Sequence, residues 1–199
     1  MVRIRSDQRE QILGHTRQAL LDAAAEEFAR QGYLGANINS ISLQAGFAKG
    51  TIYNYFPSKK ALLLAVIDTT ALSHKNFILA HVNSAQDPAH RLERFYAAGF
   101  EFVRLNLSRA RVLFNTVYGS DDELKAYCFQ AYQPIFQYFS QEILLPGIQM
   151  GIFRSIALES TTILLMTIYL GSASQVNAEG RLWLDPGQVT DLILRGLSK

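Results

Sequence analysis

The stretch "NINSISLQAGFAKGTIYNYFPSKKALL", residues 37–63, places apolar residues at three and four spacings between glycine and proline stops. That periodicity is helical, and the stops divide it into short helices. Asn37 is a good N-cap for a helix over 38–45, which Gly46 closes. A second short helix over 48–55 must stop near Phe56, because the residue before Pro57 is driven out of the helical region. Ser58 then caps a longer helix over 59–82. In the second short helix Ala48, Ile52 and Phe56 share one face and are expected to pack on Ile41, Leu43 or Phe28. Lys49, Gly50, Thr51, Tyr53 and Asn54 are left outward. Two short helices joined through "AGFA" beneath a longer first one form the layout of a helix-turn-helix.

The outward residue types suit a DNA major groove. Lysine reaches guanine acceptors, a threonine methyl touches a thymine methyl, and a glycine lets the backbone approach closely. Tyr53, Asn54 and Tyr55 can donate to phosphate oxygens, which sets register without reading sequence. Net charge is only +2, but between Phe28 and Ile67 there are four cations, Arg30, Lys49, Lys59 and Lys60, and no carboxylate. Lys59 and Lys60 fall in the first turn of a helix, where the backbone dipole already carries positive potential. An anion there would relieve both, so the reading places a phosphate at this helix start.

Working outward, the pattern stays helical almost throughout, about nine helices in an all-α chain. The first, over 10–31, puts Leu20, Leu21, Ala24, Ala25 and Phe28 on one face and ends at Gly32. Asp87-Pro88 opens a helix to about Leu107, and a short one follows to Tyr118. "SDDE" at 120–123 is a capping box for a long helix that Pro134 and Pro146 should interrupt. Helices over 156–176 and 186–197 complete the chain.

Apolar residues are 49% of the 199 residues and charged ones 18%, below the roughly 25% of an average domain. Disorder is therefore excluded and the many aromatics must be buried. The lone Cys128 forms no internal disulfide, and Arg3, Arg5, Asp7, Arg9 and Glu10 stand where a secretory segment would be apolar, which points to the cytoplasm. Residues 160–178 carry no charge, but Thr161, Thr162, Ser172, Ser174, Gln175 and Asn177 interrupt them, so no membrane span is expected.

"ALLDAAAEEFARQGYLGANINSISLQAGFAKGTIYNYFPSKKALLLAVI", residues 19–67, resembles the N-terminal domain of the tetracycline-repressor (TetR/AcrR) family of bacterial transcriptional regulators. Beyond residue 70 only the helical layout and the closing "LILRGL" are similar. The resemblance implies a three-helix helix-turn-helix domain over 1–60, an effector-binding and dimerisation domain over 61–199, and the 59–82 helix linking them. It implies DNA contacts at Asn37, Asn39, Lys49, Gly50, Thr51, Tyr53, Asn54 and Tyr55, with Lys59 on phosphate. Ala48 departs from the family pattern, standing where a serine often caps the recognition helix, and Ala36, Asn54 and Lys60 depart as well.

Further implied partners are a pseudo-palindromic double-stranded DNA operator and a second copy of the chain. Leu158, Thr162, Leu165, Met166, Tyr169 and Ala173, with Leu192, Ile193 and Leu197, offer apolar stripes for that dimer interface. The effector cavity falls among the middle helices, where Tyr96, Phe100, Arg104, Arg111, Phe114, Tyr118, Tyr132, Phe136 and Tyr169 are the candidates for a hydrophobic or aromatic small molecule. The implied function is a ligand-responsive regulator, in the family's usual mode a repressor released by its effector.

No catalytic residue, metal site or cofactor is assigned. His15, His74, His81 and His90 show no zinc-type spacing with a third ligand, and Cys128 reads as a buried small side chain. "KGT" follows no strand and lacks the other glycines of a phosphate loop. A helical lipid or drug carrier would explain the aromatics but not the basic segment.

Overall fold

The computed structural model describes residues 6–82, 87–177, 179 and 181–198, with backbone alone at 6–9; the expectation resting on Arg3, Arg5, Asp7 and Arg9 lies outside the described side chains. Helices α1 (Ser6–Gly35), α2 (Ile38–Gln44) and a 3-10 turn (Thr51–Asn54) come first. Then follow α3 (Lys59–Val82), α4 (Pro88–Leu105), α5 (Leu107–Val117), α6 (Asp122–Tyr138), a π-helical segment (Phe139–Leu144), α7 (Leu145–Gln149), α8 (Leu158–Ser174) and α9 (Pro186–Leu197). Apart from two isolated bridges, the described residues hold no β pairing.

The caps anticipated from sequence form. Asn37 accepts from the amides of Asn39 (2.9 Å) and Ser40 (3.3 Å), Ser58 from Ala61, and Asp87 from His90. At the start of α6 the cap is Asp121, not Ser120, since its carboxylate takes the Leu124 amide. In α1 the backbone leaves helical geometry at Gly32, whose φ of +68° a side chain would oppose, and resumes to Gly35.

Pro134 does not break α6. It is exposed, as is Gln130 one turn before it, so the carbonyl that loses its amide partner faces water. The helical line continues through the π segment to Pro146 at the start of α7, and the carbonyl of Glu142, four residues before it, accepts from Arg91 at 3.1 Å.

At the centre runs α3, burying Leu62, Leu63, Val66, Ile67, Thr70, Ala71, His74, Ile78 and Val82 against α1, α4, α5 and α6. Among the described residues it is the one helix long and apolar enough to cross a membrane, and 44% of that stretch is buried inside the fold. Its apolar character is that of a core helix packed on several sides.

Helix α8 turns a different face inward than its sequence stripe implied. Thr162, Leu165, Met166, Tyr169 and Ala173 are buried within the chain, as are Ile193 and Leu197 of α9. They are core, which corrects their assignment to a dimer face. Leu158 is half-buried, whereas Leu192 is 73% exposed, together with Ile163 and Leu164 on α8.

Candidate nucleic-acid interface and effector cavity

The head is built on Ser42, fully buried in α2, whose hydroxyl donates to the Ala48 carbonyl at 2.7 Å and fixes the entry into the second segment. Ile52 and Phe56 anchor that segment in the core. Leu43 and Ala48, expected inside, are exposed. The expected helix over 48–55 is reduced to the 3-10 turn over 51–54, which has no side-chain cap. Alanine at 48 supplies no acceptor for the first amides, so the longer helix loses its start.

On the outer surface Asn39, Lys49, Gly50, Tyr53 and Asn54 are exposed and Thr51 is half-buried. Lys49 pairs with no carboxylate among the described residues. Tyr55 is half-buried against the core. Asn37 is exposed, but its side-chain oxygen serves the α2 cap.

The other cations of this segment have partners inside the molecule, which corrects the picture of unmet charge. Lys59 Nζ donates to the carbonyls of Leu34 (2.9 Å) and Ala36 (3.0 Å) and lies 5.2 Å from the Tyr33 ring centroid. Its ammonium thus meets the negative end of α1, which answers the unfavourable dipole of its own helix. Lys60 pairs with Glu123 at 2.6 Å, which raises its pKa above the ordinary lysine value. Arg30 pairs with the buried carboxylate of Glu27, whose pKa is lowered by that bond and which also accepts from the Asn37 amide. Arg17 was not anticipated: its guanidinium lies 5.4 Å from the ring centroid of Phe56, which is just past the 3-10 turn in sequence. An unpaired arginine on the first helix was the only sequence signal for it.

In the body, α3, α4, α5, α6 and α8 enclose a cavity of about 40 Å³ with almost wholly apolar walls. Of the nine residues named from sequence for the effector, Phe114, Tyr132, Phe136 and Tyr169 line it. Tyr96 and Phe100 pack in the aromatic core beside it, with the Tyr96 hydroxyl donating to the Leu165 carbonyl at 2.7 Å. Arg104 pairs with Glu101 on the surface, Tyr118 is 60% exposed, and Arg111 is half-buried away from the lining.

Sequence reasoning did not place His74 or Met166 at the cavity, though both line it with Phe102. His74 is 2% exposed, stacks on Phe102 (centroids 4.3 Å apart), and meets the Tyr169 hydroxyl through Nε2 at 3.1 Å. Burial pushes its pKa down to about 3, so the ring is neutral. Burial raises the Cys128 thiol to about 12 and raises Tyr132 and Tyr169 as well. The cavity wall is therefore uncharged. No group of three metal-ligating side chains occurs among the described residues.

Head and body share a packed interface of α1 with α3 and α5, and one mostly buried arginine ties it polar group to polar group. Arg109 of α5 donates to Asp22 of α1 (2.6 Å) and to the hydroxyls of Thr69 (3.2 Å) and Thr70 (3.3 Å) of α3, and Thr70 also lines the cavity.

Residues 20–66 match the family model described as bacterial regulatory proteins, tetR family. The chain is 29% identical over 110 residues to the HTH-type transcriptional activator FasR of Mycolicibacterium smegmatis, covering 55% of this chain and 50% of that protein. The chain spans about half the length of the curated relatives it matches first. Among solved structures, the regulator FadR of Bacillus subtilis in complex with stearoyl-CoA superposes with a TM-score of 0.79 at 21% identity, over 90% of this chain and 98% of that one. AibR in complex with isovaleryl coenzyme A and operator DNA gives 0.74 at 18%, over 92% and 98%. At such identities these likenesses establish the fold.

Proposed function

We propose that this chain, which belongs to the tetR family of bacterial regulatory proteins through its residues 20–66, is a ligand-responsive, DNA-binding transcription regulator, a repressor released by a hydrophobic small molecule. The observation that carries the reading is the outward 3-10 turn, held by Ser42 and Ile52 and presenting Lys49, Gly50, Tyr53 and Asn54 to solvent. In this reading Asn39, Lys49, Gly50, Thr51, Tyr53 and Asn54 face DNA. Asn37, Tyr55 and Lys59 shape the surface, and the third Lys59 N–H remains for a phosphate.

The head comprises residues 1–60 and the body 61–199. A second copy of the chain docks on the exposed apolar residues Ile163, Leu164 and Leu192, so that two heads read half-sites one turn of duplex apart, about 34–36 Å. The effector enters the apolar cavity; FadR and AibR, of the same fold, bind acyl thioesters. Lys59 holds the end of α1 while Thr70 and His74 of the same helix line the cavity. Fifteen residues of helix separate Lys59 from His74, roughly 22 Å. A shift of α3 or α5 on binding would reach α1 through Arg109, and coupling of about 1–3 kcal/mol suffices to alter DNA affinity 5- to 150-fold.

The test is fluorescence polarisation with the duplex upstream of the protein's own gene, against a scrambled duplex, from 50 to 200 mM salt. A regulator binds its own duplex more tightly, with affinity falling by orders of magnitude across that range. Weak, sequence-blind or salt-independent binding would overturn the reading.

A further inference from the structure

Among the described residues, two buried polar atoms in the cavity wall lack a partner: Nδ1 of His74 and the hydroxyl of Tyr132. Both residues line the cavity, and their rings meet edge to face with centroids 5.8 Å apart. The tautomer of His74 follows from its neighbour. The Tyr169 hydroxyl is buried and has His74 Nε2 as its one hydrogen-bond partner among the described residues. A phenol with a single partner satisfies its proton only by donating, so Nε2 accepts and the neutral ring carries its hydrogen on Nδ1. The cavity wall then holds two adjacent donors, Nδ1–H of His74 and O–H of Tyr132, with no acceptor. Thr70 does not supply one to them, since its hydroxyl is bonded to the Val66 carbonyl at 2.6 Å and to Arg109. Unpaired donors in an apolar wall are unfavourable, and native interiors leave few of them.

We infer that the cavity takes an uncharged, largely apolar molecule through one acceptor oxygen, a ketone, ester or lactone carbonyl, which receives the Nδ1–H of His74 and the O–H of Tyr132 together. This rests on the effector reading above and adds the chemistry of the ligand. A carboxylate is disfavoured, because no cation lines the cavity and burying an anion there goes uncompensated. A pure hydrocarbon leaves both donors unpaired. The space found holds about three water-sized centres, at roughly 10–15 Å³ each, so the ligand must widen it. Phe129, 46% exposed, is the most exposed of the lining residues and has least packing to resist.

The experiment is a binding titration by calorimetry of the full chain with three probes of one shape: acetophenone, α-methylstyrene and benzoate, each repeated with the aliphatic set 2-undecanone, 2-methyl-1-undecene and decanoate. The ketones are expected to bind about tenfold more tightly than the matched alkenes, the factor a hydrogen bond supplies, and more tightly than the carboxylates. Tyr132→Phe removes a hydroxyl that has no partner in the fold, so it should fold normally and reduce the ketone advantage while leaving alkene affinity unchanged. Equal ketone and alkene affinities, tighter carboxylate binding, or a Tyr132→Phe variant that keeps the full ketone preference would each overturn the assignment. So would no ketone binding at all, with the cavity holding water only. Duplex binding without probe, measured in parallel, separates the two readings: its loss sinks the regulator, whereas its persistence with ketone failure sinks only the ligand chemistry.

Discussion

Lys49 and Lys59 carry the same charge in different surroundings, and the difference predicts different variants. Lys49 is exposed and pairs with no described carboxylate, so Lys49→Ala should leave the melting temperature unchanged. Its duplex affinity should fall, and the slope of log affinity against log salt should shrink by about 1. Lys59 holds two carbonyls at the end of α1, so Lys59→Met should cost about 1 kcal/mol, a melting temperature lower by about 2–4 °C. An unchanged melt for Lys59→Met would contradict the assigned role. His74 gives a pH dependence. Its pKa is near 3 when folded and 6.5 when exposed, so the unfolded chain gains a proton in that window and the native chain does not. Stability should therefore drop as pH falls, by about 2 kcal/mol between pH 7 and 5. His74→Asn, compared by urea titration at both pH values, should lose that component.

At the scale of elements, Gly99 of α4 marks where two helices touch. A Cβ at that position would lie 2.6 Å from the Tyr169 hydroxyl, so Gly99→Ala must displace the Tyr169 ring. A destabilisation of about 1–3 kcal/mol is expected by thermal melting, and a variant as stable as the parent would show that α4 and α8 are not packed this way. The starts of α2, α3 and α4 were legible because each is set by a local signal, Asn37, Ser58 or Asp87, that acts within its own turn. The recognition segment was legible in place but not in length, since losing a cap at Ala48 shortens a helix by an amount no local rule fixes. The stripe of α8 through Thr162, Leu165, Met166, Tyr169 and Ala173 was legible, but not what covers it: Ile163 and Leu164 are apolar beside it, so composition did not say which apolar side meets the core. For the same reason His74, one of two histidines on α3, gave no hint that its ring would meet Tyr169 from far along the chain.

For the whole molecule, the residues α8 and α9 leave outside make the dimer testable. Leu164 and Leu192 are 59% and 73% exposed, so Leu164→Lys with Leu192→Lys should spare the protomer and yield a 22.3 kDa species in sedimentation velocity, where the parent sediments as a dimer. Two heads are needed for tight reading of a two-fold site, so the same variant should bind duplex poorly. A dimer that survives both charges would move the interface elsewhere. The most direct measurement of the central claim is the map of backbone amide shifts when the upstream duplex is added to the isotope-labelled protein. The account predicts the largest changes at Asn39 and at Lys49 through Asn54, with smaller ones at the start of α3. Shifts confined to the body, or an unperturbed turn over 49–54 in the presence of bound duplex, would contradict it.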